Sequence, residues 1–184
     1  MAELTDVERR NLASVTDVLD YWNTQDIPGM LEFYDDDITW HNMALNETYR
    51  GKAEVTEFLS ALFTAFPDLR FDVIEKVARD DYVAERWEIH ANHLGPYMGI
   101  PPTGKPIVIR GMGLVQMRDG KFLTDNFYYD ALSVLQQMGI FPPLSVGETL
   151  PGRIALWGAV NRAKVAAGAG ALAAGALFVR LLRR

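Results

Sequence analysis

The apolar positions of the chain recur at two different spacings, and the change falls near residue 67. Leu12, Val15, Val18, Leu19 and Trp22 lie three and four apart, which predicts an amphipathic helix over 6–23. Thr5, Asp6 and Glu8 open it as a helix N-terminus, with early acids at the positive end of the dipole. A short second helix is predicted over Ile27–Phe33, ended by Asp35, Asp36 and Asp37, and a short strand over Ile38–His41. Val55, Phe58, Leu59, Leu62 and Phe63 share the buried face of a third helix, Gly51–Phe66, which Pro67 and Asp68 stop. Beyond that point Leu69, Phe71, Val73 and Val77 alternate with Arg70, Asp72 and Lys76, the period of a strand. Tyr82–His93, Ile107–Arg118 and Phe122–Tyr129 read as three more strands. Asp80-Asp81 supplies one turn, and Asp119-Gly120 is a strong hairpin signal. Ala131–Met138 closes the body as a short helix before Gly139.

Helices followed by a run of strands predict an α+β fold, a curved antiparallel sheet packed against three N-terminal helices. A strongly curved sheet leaves a concave apolar hollow, the default place for a small-molecule site.

Composition narrows the picture. The 184 residues predict one domain with an appendage, and 49% apolar content supports a true core. With no cysteine, disulfides, thiolate metal sites and cysteine nucleophiles are excluded, and a cytoplasmic setting is expected. A net charge of -6 argues against nucleic acid as a partner. The opening residues lack a basic start and an apolar run, so they do not read as a secretory signal.

The charge is unevenly placed. From Pro151 onward there are six basic residues and no acid, against 12 basic and 24 acidic residues before it. The division expected is a body over 1–140, a linker over 141–152 and a hydrophobic, basic-flanked C-terminal helix over 153–184. Val165–Val179 is uncharged and rich in Ala and Gly, and as a helix spans about 22 Å. A bilayer core needs about 30 Å. Three readings stand side by side: a membrane anchor, a basic helix lying on a membrane surface with Trp157 at the interface, and a soluble helix used in oligomer contacts.

Five segments together resemble the SnoaL-like polyketide cyclase (ester cyclase) family of the nuclear transport factor two-like superfamily. They are Trp40-His41-Asn42, Glu47 to Gly51, Phe66 to Phe71, the loop Gly95 to Lys105 with its Gly-Ile-Pro-Pro-Thr-Gly core, and Asp119-Gly120-Lys121 leading to Asp130 and Leu135 to Gly139. The resemblance implies a cone-shaped domain, a homodimer, no required cofactor and a hydrophobic small-molecule ligand. It also implies an intramolecular aldol closure in which an aspartate removes a proton beside a carbonyl. A carboxylate in a dry site suits that chemistry, because burial raises its pKa toward neutrality. Counting from Asp119-Gly120-Lys121, the family's aspartate position falls at Phe127 and its histidine position at Gly113.

The residues themselves supply candidates. Asp125, Phe127 and Tyr129 share one face of the last strand, with Asp125 about 7 Å from Phe127 along it. Asp125 is therefore the candidate base, with His41 and His93 as candidate hydrogen-bond partners. Asp130 sits where a helix begins and reads first as its N-cap. Trp40, Trp87, Gly113, Phe127 and Tyr129 are the candidate substrate-binding set. Gly111 and Gly113 share a strand face, where missing side chains curve the sheet or enlarge the hollow. Arg110 is expected to pair with Glu85 or Glu88 across the sheet. His90 and His93 point to opposite faces and no His/Asp/Glu set has ligand spacing, so no metal site is expected.

Two functions remain. One is a cyclase or isomerase performing cofactor-free proton transfer on a hydrophobic carbonyl compound. The other is a non-catalytic binding or scaffold protein that keeps the hollow for a lipophilic ligand and is held at a membrane by its tail.

Overall fold

A computed structural model describes residues 3–142, together with Ser145 and Pro151. Residues 1–141 form one compact unit and 142–184 a second. The expected helix over 153–184 lies outside the described residues. Among those described, no helix is long and apolar enough to cross a membrane.

The first unit is α+β, with a six-stranded, curved, unclosed sheet. Helix α1 (Asp6–Thr24) starts on a capping box: the Glu8 amide donates to the Thr5 hydroxyl (3.2 Å) and the Thr5 amide donates to the Glu8 carboxylate (2.8 Å). It buries Val15 and Val18 and is stitched to strand β3 (Arg70–Arg79). Asn23 exchanges two hydrogen bonds with the Phe71 backbone, at 3.0 and 2.8 Å. Helix α2 (Ile27–Glu32) is capped by Asp26, whose carboxylate accepts from Gly29. Helix α3 (Gly51–Ala65) buries Val55, Leu59, Leu62 and Phe63, the face that its spacing predicts.

Strands β1 (Tyr34–Asn42), β2 (Glu47–Arg50), β3, β4 (Tyr82–Asn92), β5 (Pro106–Arg118) and β6 (Lys121–Tyr129) assemble in the order β2-β1-β6-β5-β4-β3. Asp119 (φ 54°) and Gly120 (φ 81°) make the β5–β6 turn, as the Asp-Gly signal predicts.

Two features differ from the sequence reading. Strand β1 begins at Tyr34, not Ile38, so Asp35–Asp37 belong to the strand instead of ending α2. Arg118 donates to Asp35 (Nε–Oδ2 2.9 Å) and to Asp37 (2.8 Å), which neutralises a stretch that looks like a turn when read alone. The sheet is also mixed, because β1 and β6 run parallel. The other pairs are antiparallel.

Helix α4 (Ala131–Gln137) is capped by Asp130, which accepts from Ser133 (2.9 Å). Gln137 pins it to the sheet with two bonds to the Val108 backbone, at 2.7 and 3.0 Å. The loop from His93 to Lys105 is anchored at Gly95, whose amide donates to Ala65 O (3.0 Å). A Cβ there would lie 2.1 Å from Thr64 O, so only glycine permits the approach.

Candidate functional site

Residues from α1, α3, α4 and the inner sheet face enclose a cavity of about 120 Å³. Strand alternation decides which side chains enter it. On β4, Glu85, Trp87 and Ile89 enter it, and on β6 Asp125, Phe127 and Tyr129 do. The walls are largely aromatic. Trp40 stacks on Trp22 (ring centres 6.1 Å apart, 8° between planes) and meets Phe127 edge-on at 5.8 Å. Trp87 packs on Phe71 at 5.5 Å.

Two carboxyl groups stand in this apolar setting. Sheet register brings them together: Glu85 lies opposite Gly113, Gly113 opposite Phe127, and Asp125 one pleat away opposite Val115. A Cβ placed on Gly113 would be 3.2 Å from Glu85 Oε1 and 3.3 Å from Asp125 Oδ1. The two oxygens are thus separated by no more than the sum of those distances. The hydrogen at Gly113 leaves the gap across which they approach.

Glu85 is 8% exposed. Burial raises its pKa to about 7, opposed by the charge of Lys76, its cross-strand partner. The Lys76 ammonium itself donates to Leu12 O (3.0 Å) and to the Thr16 hydroxyl. Asp125 is pushed well above the carboxylate range, first by burial and then by the charge of Glu85. Its Oδ1 is closed off from solvent and has no hydrogen-bond partner among the described residues. Like charges in so apolar a setting resist simultaneous ionisation, so the pair favours states with at most one carboxylate. Tyr97 and Tyr129 add two phenols to the lining, both raised mainly by burial.

Of the residues singled out in the sequence, Asp125, Trp40, Trp87, Phe127 and Tyr129 line the cavity and Gly113 separates the carboxyls. The histidines are elsewhere. His41 points to the other face of β1, where Nδ1 lies 3.1 Å from the hydroxyl of its β2 partner Thr48. His93 is fully buried beside Phe66, and its Nδ1 accepts from the Thr103 amide at 3.3 Å. That ring holds the 93–105 loop, and burial lowers its pKa. Neither histidine is among the described lining residues.

Arg110 pairs with Glu88 on the outer face (3.0 Å), leaving Glu85 inside. At Gly111 the missing side chain does not enlarge the cavity. A Cβ there would lie 2.3 Å from the Trp87 ring, which already fills the space. Glu85 is the site residue that the sequence reading passed over. Its signal was present, because it alternates with Val83, Trp87 and Ile89 on an otherwise apolar face. No group of three or more His, Asp or Glu side chains among the described residues is placed to hold a metal ion.

The family model for SnoaL-like polyketide cyclases matches residues 14–138. The chain belongs to the SnoaL-like polyketide cyclase family. Solved structures share the architecture. A SnoaL-like protein from Jannaschia sp. CCS1 superposes with a TM-score of 0.71 at 23% identity, covering 78% of this chain and 100% of that one. AclR from Streptomyces galilaeus gives 0.66 at 24% identity, covering 73% and 99%. TerC, co-crystallised with polyporic acid, gives 0.60 at 19% identity, covering 71% and 98%. At such identities the likeness is one of fold. No curated protein matches the chain. The SnoaL-like fold therefore accounts for the cavity, and this chain's own residues for what stands in it.

Proposed function

We propose that this SnoaL-like protein catalyses cofactor-free proton transfer at a carbon beside a carbonyl, in a neutral hydrophobic compound, leading to isomerisation or intramolecular aldol closure. The observation that carries the reading is the Glu85–Asp125 pair in an aromatic cavity. Glu85, which ionises as pH passes about 7 with the Lys76 charge across the strand, accepts the proton. The C–H bond breaks and its electron pair moves to the carbonyl oxygen. Asp125, held neutral, donates a hydrogen bond to that oxygen as charge develops. The enolate carbon then takes a proton back at another position or attacks a second carbonyl. The sequence reading gave the base role to Asp125. The proposal moves it to Glu85, because Asp125 has two raising influences whereas Glu85 has Lys76 to lower it. That a protein of the same fold was co-crystallised with polyporic acid supports a small organic guest.

The test needs no natural substrate. 2-Indanone is a compact neutral ketone whose α-protons exchange into D2O and are followed by NMR. Exchange should be first order in protein and rise as pH passes about 7, where Glu85 ionises. Glu85→Gln should abolish it, and Asp125→Asn should slow it by about tenfold or more. If 2-indanone binds and neither substitution changes its exchange, the chemistry is refuted and the cavity is a binding site alone.

A further inference from the structure

We propose that the Trp40 indole N–H is the hydrogen-bond donor that receives the substrate carbonyl oxygen beside Asp125. The inference rests on the proton-transfer reading above and names the group that orients the substrate. Five buried side-chain polar atoms among the described residues have no hydrogen-bond partner: Asn11 Oδ1, Trp40 Nε1, Asn42 Nδ2, His93 Nε2 and Asp125 Oδ1. Of these residues only Trp40 and Asp125 line the cavity. A buried polar atom left unpaired is costly, so each orphan asks what completes it.

The two residues that carry these orphans are neighbours in the sheet. Trp40 on β1 is the register partner of Asp125 on β6, and register partners present their side chains to the same sheet face. Their chemistry is complementary to one kind of guest. An indole N–H only donates, so it selects an acceptor. The carboxyl pair alongside repels an anion, so the acceptor belongs to a neutral molecule. A ketone or ester carbonyl meets both conditions, whereas a carboxylate or phosphate does not.

Trp40 is also held rigidly. It is 3% exposed, stacked on Trp22 and packed edge-on against Tyr34 (5.5 Å), Phe58 (5.8 Å) and Phe127 (5.8 Å). A donor fixed before the substrate arrives loses nothing to reorganisation when charge builds on oxygen. The donor role suggested for a histidine thus passes to an indole, and the aromatic cluster around it acts as a mount.

Indole 15N–1H NMR with 2-indanone, and with indane as its carbonyl-free counterpart, tests this. The tryptophan signals are assigned from single Trp→Phe variants. 2-Indanone should move the Trp40 N–H resonance downfield, and indane should not. Trp40→Phe should weaken 2-indanone binding about tenfold more than indane binding, the loss of one hydrogen bond. If Trp40→Phe does not fold, Trp40 is assigned by elimination from the other three variants, and the wild-type shift alone decides. Failure of 2-indanone to bind, an unmoved Trp40 resonance at saturation, or equal losses for ketone and hydrocarbon overturns the proposal. Exchange that persists with Trp40 unmoved removes only this donor. A shifted Trp40 without exchange removes the proton chemistry and keeps the donor.

Discussion

Glu85→Gln gives a direct test of the dry carboxyl pair through stability alone. Glu85 has an ordinary value of 4.5 and is raised to about 7 in the fold. A carboxyl whose folded pKa is raised binds more protons folded than unfolded between those values. Its neutral form therefore supports the fold fully below pH 4.5, and that support is lost as pH rises through about 7. The interval corresponds to about 3 kcal/mol. Glutamine keeps the shape and cannot ionise. Below pH 4.5 the variant should be equal to the wild type or about 1 kcal/mol less stable, because a buried amide needs partners. As pH rises to 8 the difference should swing by about 3 kcal/mol in favour of the variant. Burial raises Asp125 in both proteins, and the variant removes the further raise that the Glu85 charge gives it, a change in the same direction. Urea unfolding followed by tryptophan fluorescence and circular dichroism at pH 4.5, 6, 7 and 8 measures the swing. A difference flat to within about 0.5 kcal/mol, or one that moves the other way, refutes the burial argument and the acid–base assignment built on it.

Three further outcomes follow from the geometry. Gly113→Ala puts a methyl 3.2 and 3.3 Å from the two carboxyl oxygens. Stability should change by no more than about 1 kcal/mol, since strand gain offsets crowding, while 2-indanone exchange falls about tenfold or more; full activity would show that the gap is irrelevant. His93→Asn should cost about 2 kcal/mol by urea titration through the loosened loop and leave exchange intact. A loss of exchange as large as that of Glu85→Gln would place the histidine in the chemistry. Asp130→Ala should cost about 1 kcal/mol through the lost α4 cap without altering the pH profile of exchange, and no change in stability would refute the capping role.

Much of this protein was legible in one dimension. The long helices and strands β3 to β6 follow from spacing, because helix and strand periods are local properties of the backbone. The shared face of Asp125, Phe127 and Tyr129 follows from alternation alone. What was illegible depended on distant partners. Asp35–Asp37 look like a stop signal until Arg118, more than eighty residues away, neutralises them within β1. The β1–β6 pairing is equally non-local, and it places Trp40 beside Asp125. The histidines looked chemical in the sequence, but Thr48 and Thr103 occupy them outside the cavity lining.

Alternation thus placed Asp125 on the face of Phe127 and Tyr129 without any coordinates but left Glu85 unassigned. It could not say that Glu85 and Asp125 would meet. Their meeting needs the register of three strands and a glycine at the crossing point, and it needs helices that exclude water from above. A pKa belongs to that assembled environment and not to the residue, which is why the tertiary structure alone raises both carboxyls above their ordinary range.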